Sequence, residues 1–338
     1  MTVLSVDAEQ IIDFRLRANG LRQRAANSAP SLQVAAAAGL QDSMPRAAVL
    51  SLHARVRGVD PCVLDDPTLI QVWGPGFSAY VVAANDVGVF TLGRYPESGT
   101  RRTTADTVAA RLSDVLDETP RRYRDVAADL GIHHDGLRYA ALLGTIRLHW
   151  AGSGKPLISL LSPPAIDWME ARCELGRRFL HAYGPATADD FSSWAGVNKT
   201  HARRTLAELD DETIHVTTPL GSALLLASDE ALLRSAERPE ASIRFLPSGD
   251  PVTLWTGEQR TILLPEAHRR ERLWTPRVWP GALLVGGRIA GAWRRSGPAM
   301  SIETWDQPTE EVRVAVEAEA GSLPLEEQPL SVSWTVAR

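Results

Sequence analysis

Three consecutive residues, Gln41, Asp42 and Ser43, place an amide, a carboxylate and a hydroxyl between the apolar run VAAAAGL and the helical pattern PRAAVLSLHARVRGV. An amide carbonyl can orient a water, and a carboxylate can supply negative charge opposite a developing cation. A hydroxyl can assist by hydrogen bonding but is not a base by itself. The same run has a structural reading. Asp42 or Ser43 shortly before Pro45 is an N-cap signature for the helix that follows, with Gln41 merely closing the turn. His53, further along that helix, is either a packed or surface histidine or a base.

Other chemistries find little support. Cys62 and Cys173 are far apart and have no neighbouring histidine pairs, and the eight histidines form no HExxH pattern, so neither a disulfide framework nor a metal is expected. The GSGK stretch at 152–155 lacks the spacing of a phosphate-binding loop and fits a turn between strands, so no cofactor is expected. No run approaches the length of a membrane span, and the N-terminus lacks the features of a secretory signal, which implies a cytoplasmic location and no membrane partner.

Charge limits how the chain could meet a polyanion. The net charge is −5 over 338 residues, so binding to nucleic acid would need a local basic surface rather than bulk positive charge. Of the 36 basic residues all but Lys155 and Lys199 are arginine. Most arginine pairs read as scattered solvated charge, but Arg203-Arg204 lies on a helical pattern that follows a turn.

The elements that would position these residues repeat. YRDVAADLGI and HHDGLRYAALLGT read as helices, and IRLHW, AGSGK and PLISLL as strand, turn and strand, over Arg121 to Leu161. A second copy runs from the helix at Leu175–Tyr183 through DDFSSWAGV and NKTHARRTLAEL to the strand pair TIHVTTPLGSALLLA. The fainter first copy carries Gln41-Asp42-Ser43 in its turn and ends in the strand pair LIQVWGPGFSAYVVAAND. Helix-turn-helix units with a β-wing point to nucleic acid.

Before the first copy, Ser5-Val6-Asp7 caps a helix that Pro30-Ser31 ends. After residue 243 the pattern turns to strands, including RTILLP, with a hairpin over Ala282–Trp293 at Gly286-Gly287, which suggests a small barrel. EEVRVAVEAEAG is open between strand and helix. The expected architecture is α+β: three winged-helix modules at 1–104, 105–164 and 165–240, and a C-terminal β-barrel domain at 241–338.

Four stretches carry a family resemblance: Leu40 through Ala48, Ala182-Tyr183-Gly184-Pro185-Ala186-Thr187 through Gly196, Leu246-Pro247-Ser248-Gly249-Asp250-Pro251, and Gly287 through Arg294. In this order they resemble the bacterial winged-helix family of the DNA glycosylase AlkZ and its YcaQ-like relatives. The resemblance implies a C-shaped array of the three modules around duplex DNA. Its catalytic signature is Gln-x-Gln or Gln-x-Asp. Gln41 matches the first position and Ser43 stands at the third, while Trp73-Gly74-Pro75-Gly76 replaces a Trp-x-x-Arg.

What the resemblance implies is a monomeric, cofactor-independent glycosylase acting on double-stranded DNA that carries a bulky N7-alkylguanine, in self-resistance to a genotoxin, and nucleoid-associated when bound. Cleavage of the N-glycosidic bond passes through an oxocarbenium-like sugar, and a guanine already cationic at N7 leaves without protonation. Gln41, Asp42 and Ser43 are the expected catalytic residues. The expected DNA contacts are Arg46, His53, Arg55, Arg203, Arg204, Gly287, Arg288 and Arg294, with the Gly287-Arg288 hairpin suited to a minor groove. The alternative is a non-catalytic winged-helix DNA-binding protein, either a regulator or a lesion binder.

Overall fold

A computed structural model of the protein describes residues 4–42, 46–150, 155–235, 242–325 and 331–337. Ser43 and most of the turn at 152–155 lie outside the described residues. Asp7 caps the helix Ala8–Ala18 as its sequence suggests, accepting from the Gln10 N–H while the Gln10 side chain returns to Asp7. The helix ends at Asn19, well before Pro30. Pro30 instead stands in the first turn of a separate helix, Ala29–Ala35, where a missing N–H costs nothing.

The strand pairs expected of the first two copies form a single sheet. Its six strands run in the order Leu40–Gln41, Ala79–Ala83, Leu69–Trp73, Ile146–His149, Leu157–Leu160, Arg121–Arg122. One residue pair, Gln71 opposite Leu148, joins the two hairpins. Trp73 and Ala79 of the first hairpin therefore share a core with Val126, Leu137, Ile146 and Ile158 of the second.

The third helical stretch follows its sequence pattern closely. Helices Trp168–Tyr183, Ala188–Ala195 and Lys199–Ala207 precede the hairpin Thr213–Thr218 and Gly221–Leu226. Thr187 and Asp190 cap the second of these helices reciprocally. Arg94 ties this stretch to the first hairpin, donating to the carbonyls of Ala195 (2.9 Å) and Trp73 (3.1 Å). Burial lowers its pKa to about 10, against a small opposing effect from Tyr80.

At the C-terminal end the structure corrects the expected barrel. Strands Ile243–Leu246, Gly281–Val285, Arg288–Ser296, Ala299–Thr304 and Ser331–Val336 lie in that order, the last pair parallel, and among the described residues the first and last strands do not meet. The sheet is open, and a helix covers it instead. EEVRVAVEAEAG forms that helix, Glu310–Gly321, capped by Thr309, and its Val316 and Ala320 pack against Phe245, Leu283 and Ile302. Burying each such large apolar side chain contributes roughly 1.5–3 kcal/mol. RTILLP, expected as a strand, supplies the helix Gln259–Leu263, whose Ile262 and Leu263 are buried. A short apolar run reads equally well as a strand or as a buried helical turn.

Candidate functional site

The helix Ala47–Arg55 is buried on every face, so its position is set by packing rather than by an amphipathic stripe. It starts after Arg46, whose backbone is left-handed at φ 60°, and Arg46 itself gives no side-chain cap. Asp42 supplies the cap from six residues back. One carboxylate oxygen accepts the Ala48 N–H at 3.0 Å and the other accepts the Gln71 amide at 2.7 Å. Gln71 continues the chain of bonds, donating to the Trp150 carbonyl (3.0 Å) and accepting the Trp150 N–H (2.8 Å).

Asp42 is fully buried. That burial pushes its carboxyl up to about 6, although the Ala48 N–H, the Gln71 amide and the Arg46 charge all pull it down. Both of its oxygens are engaged by the protein, so the structural reading of this residue describes its geometry.

Gln41, the residue before Asp42, ends the two-residue strand Leu40–Gln41. The strand pairs antiparallel with Ala79–Ala83, Gln41 opposite Tyr80. Gln41 is half-buried, and its side chain lies against Gly249 in the loop Leu246–Pro251. A Cβ at Gly249 would stand 2.6 Å from Gln41 Oε1, and Gly249 has φ +83°. Glycine is required there for close approach and for backbone conformation alike.

The loop is anchored from below. Asp250, fully buried, accepts two hydrogen bonds from Arg55 (2.7 and 3.0 Å) and one from Ser51 (2.7 Å). Asp42 and Asp250 thus hold the two ends of one helix, and Gln41 sits between the strand and the loop that they fix.

The other expected residues scatter. Arg55 is 3% exposed and His53 is 5% exposed; His53 lies within 3.2 Å of Ser322 and pairs with Glu319, which also binds Arg24. A guanidinium and an imidazole held this way present no surface to a phosphate, and their placement corrects the expectation of DNA contact. They lock the helix to the rest of the protein.

Arg203 is exposed and pairs with Asp189 at 3.0 Å, as does Lys199 at 2.9 Å. Arg204 pairs with Glu97, which also binds Arg172. At the Gly286-Gly287 turn, Arg288 reaches Glu9 on the first helix at 2.6 Å. Arg294 is exposed and donates to the Val278 carbonyl at 3.0 Å. His133, His134 and Asp135 bring one possible metal-ligand atom each within 4.8 Å of one another on the surface, the one such grouping among the described residues.

Three residues with clear structural parts went without a role in the sequence: Gln71, Gly249 and Asp250. Gly249 and Asp250 stand inside the Leu-Pro-Ser-Gly-Asp-Pro stretch, so their neighbourhood was marked but not their contact with Gln41 and Arg55. Nothing local to Gln71 marks it out.

Helices bearing β-hairpins, an open C-terminal sheet and a Gln-Asp step braced from two sides define an α+β protein of a particular architecture. A model of the DNA glycosylase AlkZ-like family matches residues 34–324, and the chain belongs to that family. The interstrand DNA cross-link repair glycosylase of Streptomyces sahachiroi is 29% identical over 128 residues, which span 37% of this chain and 34% of that protein. The match therefore covers only about a third of the relative's length. The structure of Streptomyces sahachiroi DNA glycosylase AlkZ superposes with a TM-score of 0.79 at 18% identity, over 98% of this chain and all of that one. At that identity the likeness is one of fold. Among the described residues no helix is long and apolar enough to cross a membrane.

Proposed function

We propose that this protein is a DNA glycosylase that hydrolyses the N-glycosidic bond of a bulky N7-alkylguanine in duplex DNA, in self-resistance to a genotoxin. It acts as a monomer and needs no cofactor. The family match over residues 34–324 carries this reading; the bracing of Gln41 by Gly249 supports it. In this reading the helix-and-hairpin stretches are three winged-helix modules, divided at about residues 104, 164 and 240, curved into a C around the duplex.

The residues divide the work as follows. The bond from the anomeric carbon to the guanine breaks with its electron pair going to the base, the Gln41 amide orients the water that adds to that carbon with help from the Ser43 hydroxyl, and the proton the water loses passes to bulk water. Asp42, ionised above its raised pKa of about 6, lends negative charge from below while its hydrogen bonds hold the strand. The leaving guanine, cationic at N7, departs without a general acid, so a site with few polar groups suffices. Arg46, Arg203, Arg204, Arg294 and the Gly287-Arg288 hairpin contact the backbone.

The engagement of both Asp42 oxygens, together with serine at position 43, favours a second reading, a non-catalytic DNA-binding protein of the same fold. Incubation with duplexes carrying single N7-alkylguanine lesions of increasing size decides between them. The first reading expects free base and an abasic site; DNA binding without base release across the whole set overturns it and leaves the second.

A further inference from the structure

Arg15, on the helix Ala8–Ala18, is a buried charge whose hydrogen-bond partners are all neutral. It is 1% exposed, and its guanidinium carbon lies 3.7 Å from the centre of the Trp255 ring. It donates to the Gly184 carbonyl (3.1 Å), the Pro185 carbonyl (3.3 Å) and the Gln259 amide oxygen (3.1 Å). Its Nη1 is buried and has no hydrogen-bond partner among the described residues. Asp190 is linked to it through Gln259, whose Nε2 donates to that carboxylate at 3.2 Å. Burial still lowers the Arg15 pKa to about 9, against the pull of Asp190. A buried guanidinium is ordinarily paired with an anion, and an N–H left without a partner carries an uncompensated desolvation cost.

Arg15 also lines a cavity of about 190 Å³. By the same measure a single water needs about 10–15 Å³, so the space suits a small organic molecule. Its walls are largely apolar, with Ile12 from the helix Ala8–Ala18, Leu263 from Gln259–Leu263, and Leu284 and Ile289 from the C-terminal hairpin. The two carboxylates in the lining, Glu9 and Glu266, are exposed and pair with Arg288 at 2.6 Å and Arg269 at 3.8 Å. The one buried ion in the lining is therefore a cation. We propose that this cavity binds a small monocarboxylate with a short apolar chain, its carboxylate at Arg15 and its chain among Ile12, Leu263, Leu284 and Ile289. A carboxylate matches the guanidinium fork and brings the missing negative charge, while the chain covers walls that offer little to water. Such a site is separate from any reaction on DNA. Because the first helix and the C-terminal hairpin both wall the cavity, an occupant bridges the two.

Calorimetric titration of the full chain with sodium butanoate, hexanoate and octanoate tests this, with the alcohols of equal length and hexylammonium as neutral and cationic counterparts. One saturable site is expected for at least one acid, about tenfold tighter than for its alcohol, a margin ordinary for a charge-assisted hydrogen bond. Hexylammonium should not bind. Ile12→Trp fills the cavity from a half-buried wall and leaves the Arg15 hydrogen bonds in place. It is expected to weaken acid binding by about tenfold or more with circular dichroism unchanged. In Arg15→Gln the acid should bind no more tightly than the alcohol; if that variant does not fold, the native selectivity and Ile12→Trp decide. Absence of saturable binding by every acid, equal affinity for acid and alcohol in the native protein, or undiminished binding by folded Ile12→Trp overturns the proposal.

Discussion

Gly249 stands where a single added methyl group would come within 2.6 Å of the Gln41 Oε1 and 3.2 Å of its Cβ. The loop that carries Gly249 is fixed by Asp250 to Arg55 and Ser51, so the glycine has little room to yield. Gly249→Ala is therefore expected to displace the Gln41 amide as well as to strain a backbone at φ +83°, costing about 1–2 kcal/mol of stability. Base release should fall by about tenfold or more, since small misplacements of a positioning group cost that much or more. Gly58→Ala is the control. It has φ +63° and nothing within 4 Å, so thermal unfolding should register a comparable strain while single-turnover base release stays near that of the native protein.

The buried pair of Arg55 and Asp250 sets the stability of the helix behind the site. Removing one partner leaves an uncompensated buried charge, a loss of about 3–5 kcal/mol. Asp250→Ala and Arg55→Ala should each show this in denaturant unfolding. Arg55→Lys should rescue only part of it, because one ammonium cannot reproduce the two-pronged contact at 2.7 and 3.0 Å.

Asp42 gives a pH signature with a definite sign. Burial raises its folded-state pKa to about 6, above the value of an unfolded aspartate, so the folded protein holds the proton more tightly. Its contribution to stability is fully present below the unfolded pKa and is lost as pH rises through about 6. Between pH 7.5 and pH 5 the stability of the native protein relative to Asp42→Asn should rise by about 1 kcal/mol. Chemical denaturation of both proteins across that range checks it; an invariant difference would show that the carboxyl titrates elsewhere.

Much of this arrangement was legible in the sequence, and the reason differs by residue. The cap at Asp7 is a local signal, and its helix begins where the cap stands. The N-cap reading of Asp42 was local too, although the carboxylate reaches the N–H of Ala48, six residues on. Arg55 and His53 misled because a basic residue near a polar turn looks solvent-facing; their partners Asp250 and Ser322 lie 195 and 269 positions away. The single pair Gln71–Leu148 that merges two hairpins into one sheet leaves no trace in local periodicity. Strand edges that would close a barrel or leave it open are long-range as well, and the helix Glu310–Gly321 covers the sheet that closure would have sealed.

Exposed basic residues should show in the salt dependence of DNA binding. Arg203 is 65% exposed and its partner Asp189 is 45% exposed, so the guanidinium can exchange that partner for a phosphate. Arg203→Ala is expected to lower the slope of log affinity against log salt by about one. Arg55→Ala, which removes a buried group, should leave the slope unchanged in the protein that remains folded.

The central claim is that Gln41 acts on the bond that is broken. Its most direct test is the single-turnover rate of base release from a duplex with one N7-alkylguanine, compared between the native protein and Gln41→Ala at saturating protein. Release by the native protein is expected, with a loss of about a hundredfold or more in the variant, within the range for removing one positioned catalytic group, and with DNA affinity preserved. Equal rates in the two proteins, or no release by either, would contradict it.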